Sequence, residues 1–278
     1  MKVYKTKNGI AIEKQGRYFR PRTQNWTALM NRPNLYKALS NEIEVAQPIA
    51  DFDTSTIVAP ITNQEIWASG VTYMRSREAR MEESKKAGGD TFYDKVYEAE
   101  RPELFFKALA NRTVGTHDFV NIRKDSTWDV PEPELTLWIS SEGTIEGYTI
   151  GNDMSSRSIE GENPLYLPQA KMFERCAGLG PCVLVPEKFI DPNTIIELEI
   201  RRGNKQMFHG KVSVSNMKRS HTELVDFLFS ECDFPNGCYL MTGTGLVPPD
   251  EFTLQPDDEI RITIEPIGTL MNKVAHKN

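Results

Sequence analysis

The stretch Asp129-Val130-Pro131-Glu132-Pro133-Glu134-Leu135-Thr136-Leu137-Trp138-Ile139 decides how this chain is read. Leu135, Leu137 and Ile139 alternate with Glu134, Thr136 and Trp138, the period of two that marks a half-buried strand. The same period sends Glu132 and Glu134 to one face at the strand's start. Two like charges side by side want a cation. Asp153, in Gly151-Asn152-Asp153, directly follows a second strand-like segment, Thr144 to Ile150. If the two strands pair, Glu132, Glu134 and Asp153 converge at one sheet end, and three carboxylates with water suit a hard divalent ion, Mg2+ or Mn2+. A plainer reading competes: a Glu-x-Glu pair is also common on the solvated face of an edge strand.

Outward from this stretch the alternation recurs. Ile196, Leu198 and Ile200 alternate with Glu197 and Glu199, and similar segments run from Met207 to Ser215, Tyr239 to Thr242 and Glu259 to Glu265. Glu142-Gly143 and Gly203-Asn204 read as hairpin turns. One helix interrupts them, opened by the capping box Ser220-His221-Thr222-Glu223 and followed by Leu224, Val225, Phe227 and Leu228. The first sixty or so residues differ, with short basic strand-like pieces around the turn Lys7-Asn8-Gly9, so a boundary near Thr62-Asn63 divides a small N-terminal domain (1–62) from a larger one (63–278). The charged run from Met74 to Lys86 reads as an exposed helix or mobile lid stopped by Gly88-Gly89. A further helix, from about Asp94 to Glu100, ends at Arg101-Pro102, because the residue before proline disfavours helical geometry. Many strands with few helices indicate an α+β, mainly-β architecture.

The chain has 278 residues, 39% of them apolar and 26% charged, the profile of an ordinary globular protein. Its 33 Lys+Arg against 39 Asp+Glu leave a net charge of -6, which argues against nucleic acid as a partner. No apolar run approaches the ~18 residues of a membrane span, and the N-terminus lacks a signal-peptide core, so no membrane partner is expected and the cytoplasm is the simplest setting. Four cysteines are too few for a disulfide framework, and the spacings Cys176 to Cys182 and Cys232 to Cys238 are not those of zinc sites. His117, His209, His221 and His276 are scattered. Chemistry therefore falls to carboxylates and lysines. Lys171, in Pro168-Gln169-Ala170-Lys171-Met172-Phe173, has apolar neighbours able to lower its pKa, as a base for carbon acids requires. A surface lysine with its stem on apolar atoms is the competing reading. Glu103, in Arg101-Pro102-Glu103-Leu104-Phe105-Phe106-Lys107, is an acid among aromatics, or else a salt-bridge partner. Thr242-Gly243-Thr244-Gly245 offers backbone N–H groups suited to a carboxylate but is not a P-loop.

Taken together and in order, Glu132-Pro133-Glu134, Gly147-Tyr148-Thr149-Ile150-Gly151-Asn152-Asp153, Lys171 and Leu240-Met241-Thr242-Gly243-Thr244 resemble the fumarylacetoacetate hydrolase family over about Gly70 to Leu270. The resemblance implies a mixed β-roll with flanking helices, a homodimer or homotetramer, and Mg2+, with Mn2+ or Ca2+ as substitutes, held by Glu132, Glu134 and Asp153. It implies Lys171 as the active-site lysine and Thr244 as a contact to the substrate carboxylate, with Lys107 and Arg157 also at the substrate. The segments around Glu103, Glu132 and Lys171 look most like those of the family's sugar-acid dehydratases, which makes Glu103 and Lys171 the proton-transfer pair, their order left open. The implied reaction is Mg2+-dependent β-elimination of water from a 2-keto-3-deoxy sugar acid, a small 2-keto acid. The charged helix closing over the site would bring Arg75 or Arg77 to that substrate. Hydrolase members carry a water-activating His and Glu after the Tyr of their Gly-x-x-Tyr motif, whereas Gly70-Val71-Thr72-Tyr73 is followed at those places by Ser76 and Ala79. After Asn152-Asp153 the family's Ala-Arg-Asp is replaced by Ser156-Arg157-Ser158, so the orientation of Arg157 needs another support. Acylpyruvate hydrolysis, oxaloacetate decarboxylation and a non-catalytic metal- or carboxylate-binding module are the alternatives.

Overall fold

The structure, a computed structural model, describes residues 1–74 and 97–277. Arg75, the helix expected from Met74 to Lys86 beyond Met74 itself, and residues 94–96 of the one expected from Asp94 to Glu100 lie outside the described residues. The N-terminal strands are β1 (Lys2–Thr6), β2 (Gly9–Lys14), β3 (Arg17–Arg20) and β4 (Gln47–Ile49). There follow β5 (Glu65–Gly70), β6 (Glu103–Leu109), β7 (Thr113–Val114), β8 (Phe119–Ile122), β9 (Asp129–Val130), β10 (Pro133–Ile139), β11 (Ile145–Asp153), β12 (Ser155–Ser156) and β13 (Ala177–Leu184). The last are β14 (Ile195–Arg202), β15 (Lys205–Ser213), β16 (Cys238–Met241), β17 (Glu259–Ile264) and β18 (Gly268–His276).

The strands form an 11-stranded sheet in the order β4-β3-β2-β1-β13-β11-β10-β16-β5-β6 with β7 on β13, a five-stranded sheet β15-β14-β17-β18-β8, and a small ribbon β12-β9. Short helices flank them, so the architecture is the mainly-β, mixed roll that the alternation and the resemblance lead one to expect. The five-stranded sheet keeps the expected half-burial, with Ile196, Leu198 and Ile200 inward and Glu197 and Glu199 on the outer face, paired with His209, Lys211 and Arg201. The Gly203 turn, at a φ of 58°, closes the β14–β15 hairpin. β15 stops at Ser213, short of the expected Ser215, because the Ser213 hydroxyl accepts the Ser215 N–H and starts a helical turn. Ser220 caps the helix His221–Phe229 by accepting the Glu223 N–H at 3.1 Å.

β10 is buried at every position rather than half-buried. Leu135, Leu137 and Ile139 face a core shared with Ile196, Leu198, Ile200, Ile260 and Ile262 of the second sheet. Trp138 faces the other way, into a core built with Trp26, Leu29 and Met30. The layer that covers this second face comes from the chain's first sixty residues. β1 pairs antiparallel with β13 through Lys2↔Leu184 and Val3↔Val183, and the helices Trp26–Met30 and Leu35–Glu44 supply Trp26, Leu29, Met30, Leu35 and Leu39 to the core. The Trp138 indole N–H donates to the Met30 carbonyl at 3.2 Å, pinning that layer to the centre of the sheet.

Candidate active site and metal centre

β10 and β11 run antiparallel, with Pro133 opposite Asn152 and Glu134 opposite Gly151, and the Asp153 N–H donates to the Glu132 carbonyl at 3.0 Å. This pairing brings Glu132, Glu134 and Asp153 together. One carboxylate oxygen of each lies within 4.8 Å of the others, and all three side chains are buried. Among the described residues it is the one cluster of acids, histidines or cysteines with this geometry.

Three basic side chains meet these acids in the interior. The Lys171 ammonium, at the end of the short helix Leu167–Lys171, donates to Glu132 Oε2 at 2.7 Å, to Asp153 Oδ2 at 3.1 Å and to the Ser155 hydroxyl at 2.6 Å. The Ser155 hydroxyl in turn donates to the Asp153 carbonyl at 3.0 Å. The Phe105 ring covers Lys171, its centroid 5.6 Å from the ammonium. Lys107 arrives by a different device. The β5–β6 register passes from Ile66↔Ala108 to Trp67↔Phe106, leaving Lys107 as the extra residue of a bulge, which re-aims its side chain into the site. Its ammonium reaches Asp153 Oδ1 at 2.5 Å, the Met154 carbonyl at 2.9 Å and the Lys171 carbonyl at 2.5 Å. Two of its donors thus go to backbone carbonyls, and its charge faces Asp153.

Arg157 follows the N-cap Ser156, and its guanidinium donates to Glu132 Oε1 at 2.7 Å. This ion pair orients the Arg157 guanidinium. Ser158, standing in the place of the family's aspartate, fixes the 126–128 loop: its hydroxyl bonds that of Ser126 at 3.0 Å and accepts the Thr127 N–H at 3.1 Å. The Trp128 carbonyl of the same loop accepts the Arg157 N–H at 2.7 Å. The Gly243 N–H donates to Glu134 Oε2 at 2.6 Å, so the Thr242–Gly245 turn serves the protein's own carboxylate. The Thr244 hydroxyl, buried beside it, donates to the Leu246 carbonyl and accepts the Leu246 N–H, a local turn.

The acids are shifted in opposite directions. Burial pushes Asp153 up, but the ammonium groups of Lys107 and Lys171 outweigh it and hold the carboxyl below its ordinary range. Burial, and after it the charges of Asp153 and Glu132, push Glu134 well above the usual carboxylate range. A dication between the three would reverse that. The donor set fits one: three buried carboxylates, all hard oxygen, with one acid short of positive charge.

Glu103 sits at the start of β6, opposite Gly70 of β5, with its carbonyl held by the Ser69 hydroxyl at 3.0 Å. Ser155 and the Gly243 N–H were not singled out by sequence as partners of Lys171 and Glu134. Ser155 was within reach of a strand-period argument, since it lies two residues after Asp153.

Residues 66–275 match the fumarylacetoacetate (FAA) hydrolase C-terminal family model, and the chain belongs to that family. Over 217 residues it is 50% identical to a probable 2-keto-3-deoxyxylonate dehydratase of Haloferax volcanii, covering 78% of this chain and 74% of that one. It is 42% identical over 223 residues to the 2-dehydro-3-deoxy-D-arabinonate dehydratase of Saccharolobus solfataricus, covering 80% and 75%. Its fold is similar to a solved structure of 2-keto-3-deoxy-D-arabinonate dehydratase complexed with magnesium and 2,5-dioxopentanoate, with a TM-score of 0.86, 33% identity and full coverage of both chains.

Proposed function

We propose that this protein is a Mg2+-dependent dehydratase of a 2-keto-3-deoxy sugar acid, converting a 2-keto-3-deoxypentonate to 2,5-dioxopentanoate and water. The observation that carries the reading is the buried triad Glu132, Glu134 and Asp153 with Lys171 bonded directly to two of its members. The identity to sugar-acid dehydratases supports it, and so does the magnesium and 2,5-dioxopentanoate bound by the similar structure.

Mg2+ held by Glu132, Glu134 and Asp153 supplies Lewis acidity toward the substrate's 2-keto acid group. The remaining work belongs to the chain. Lys171 and Glu103 form the proton-transfer pair: one removes a proton from C3 and the other gives one to the leaving C4 hydroxyl, which departs as water. A proton then moves from C5 to C3, and the resulting enol becomes the C5 aldehyde. Matching such groups to neutral pH contributes about 10²–10⁴-fold in rate. Phe105 shields Lys171 from water, and the Gly243 N–H aims Glu134. Lys107 holds Asp153 by its charge and the Met154 and Lys171 carbonyls by hydrogen bonds, and its part in binding substrate rests on the family resemblance. Arg157, anchored on Glu132, and Thr244 are assigned to the substrate carboxylate on the family resemblance. The homo-oligomeric state and the cytoplasmic setting belong to the same proposal and rest on that resemblance and on composition. Among the described residues no helix is long and apolar enough to cross a membrane.

A proton NMR time course with Mg2+ and racemic 2-keto-3-deoxypentonate tests this reading. The aldehyde of 2,5-dioxopentanoate is expected, from one enantiomer, and is absent with EDTA. No product with Mg2+ would overturn the dehydratase assignment and direct the search to acylpyruvates and oxaloacetate.

A further inference from the structure

Gly70 and Glu103 are cross-strand partners on β5 and β6, and the Glu103 side chain folds back over Gly70. A Cβ built on Gly70 would lie 1.9 Å from Glu103 Oε2, 2.6 Å from Cδ and 3.3 Å from Oε1, so the whole carboxylate rests where a side chain would stand. The backbone does not require glycine here. Gly70 is not among the positive-φ glycines, in contrast to Gly243 at φ 93°. Nor does close backbone packing require it, because the atoms in the way are the far end of one flexible side chain.

We infer that Gly70 is a positioning residue for Glu103: its missing side chain forms the notch that seats the carboxylate at the end of the β5–β6 pair. The notch connects to the metal centre through few atoms. Ser69, next to Gly70, holds the Glu103 carbonyl through its hydroxyl. The Ser69 carbonyl and the Thr72 hydroxyl close around Gly243, where an added Cβ would meet them at 2.9 Å and 2.0 Å. Gly243 in turn donates its N–H to Glu134. Thr72 also donates to the Thr242 carbonyl at 2.7 Å, tying the end of β5 to the same turn. The inference rests on Glu103 serving in proton transfer, and it assigns the Gly of Gly70-Val71-Thr72-Tyr73 a task distinct from backbone conformation.

The test is Gly70→Ala, Glu103→Gln and the double variant, each measured for kcat, KM, Mg2+ affinity by calorimetry and melting temperature. Gly70→Ala is expected to lower kcat by about 10²-fold, the scale of a displacement near 1 Å, with KM, Mg2+ affinity and melting temperature close to wild type. In the Glu103→Gln background the same substitution is expected to cost little more, because the group it displaces has already lost its proton chemistry. A Gly70→Ala enzyme within threefold of wild-type kcat, or an equal loss in both backgrounds, would overturn the positioning role. A crystal structure of Gly70→Ala reads the notch without reference to rate: the Glu103 carboxylate should have left it, and a carboxylate still in place refutes the inference. Full turnover by Glu103→Gln alone overturns the acid–base reading, and the inference with it.

Discussion

The two ends of β10 lie at the same depth and are built from opposite materials. From Leu135 to Ile139 the strand presents aliphatic side chains to the inter-sheet core and Trp138 to the N-terminal layer, and burial itself is the stabilising term. At Glu134, and at Glu132 just before the strand, the same interior holds carboxylates against Lys171, Arg157 and Lys107. A buried ion pair gains little over apolar packing, because desolvating both charges costs about as much as their attraction returns. The polar end is therefore maintained for what it binds, and the apolar end for what it holds rigid beneath. A site built at the end of a fully packed strand inherits the positional precision of that core.

This contrast makes different substitutions fail in different ways. The largest effect is expected at Glu132, which faces Arg157 and Lys171 together. Glu132→Gln should lower Mg2+-dependent turnover by about 10³-fold. It should also lower stability by about 3–5 kcal/mol, since Arg157 and Lys171 each lose a buried carboxylate; activity assays and urea denaturation measure the two losses. At the other end, Leu137→Ala should cost about 2–5 kcal/mol from lost transfer energy and the cavity left behind. That corresponds to a melting temperature lower by roughly 3–9 °C for a chain of this length, while calorimetry on the folded variant should return the wild-type Mg2+ affinity. If Mg2+ affinity falls as well, the two ends are not separable. Trp138→Phe keeps most of the ring but removes the donor to Met30, and should cost about 1 kcal/mol, seen as weakened protection of the N-terminal layer in hydrogen exchange.

The smallest effect has the opposite sign. Asp129, buried on β9 beside the polar end, is pushed by its burial to a pKa of about 6. The folded state thus binds this proton more tightly than the unfolded chain, so Asp129 costs stability above about pH 6 and the cost disappears as pH falls toward 4. Asp129→Asn should raise the melting temperature at pH 7.5, by the equivalent of about 1–2 kcal/mol, and the gap to wild type should close near pH 4. An equal gap at both values would mean the side chain acts through something other than its charge.

The metal triad was legible because its signal is local: Glu132 and Glu134 share a strand's period, and Asp153 ends the strand that a tight turn returns alongside them. Full burial of β10 was not legible, since the residues covering Trp138 lie about a hundred positions earlier, at Trp26 and Met30, in a segment that resembled nothing familiar. Lys107 shows the same limit on a smaller scale. An alternating reading of β6 leaves its direction open, and only the register shift against β5 turns it to Asp153. The hydrogen-bond chain from Lys171 through Ser155 depends on a helix end meeting a strand end, which no spacing encodes.

Glu134 offers the most direct test of the central claim that the polar end of β10 exists to hold a divalent cation. Burial, and after it the charges of Asp153 and Glu132, push its carboxyl well above the usual carboxylate range, so an uncharged glutamine should be tolerated there and can accept the same Gly243 N–H. Mg2+ titration calorimetry of Glu134→Gln, beside metal-free melting curves, separates folding from binding. The account predicts an unchanged metal-free melting temperature with saturable Mg2+ binding and turnover both lost. Wild-type Mg2+ affinity in that variant would contradict it.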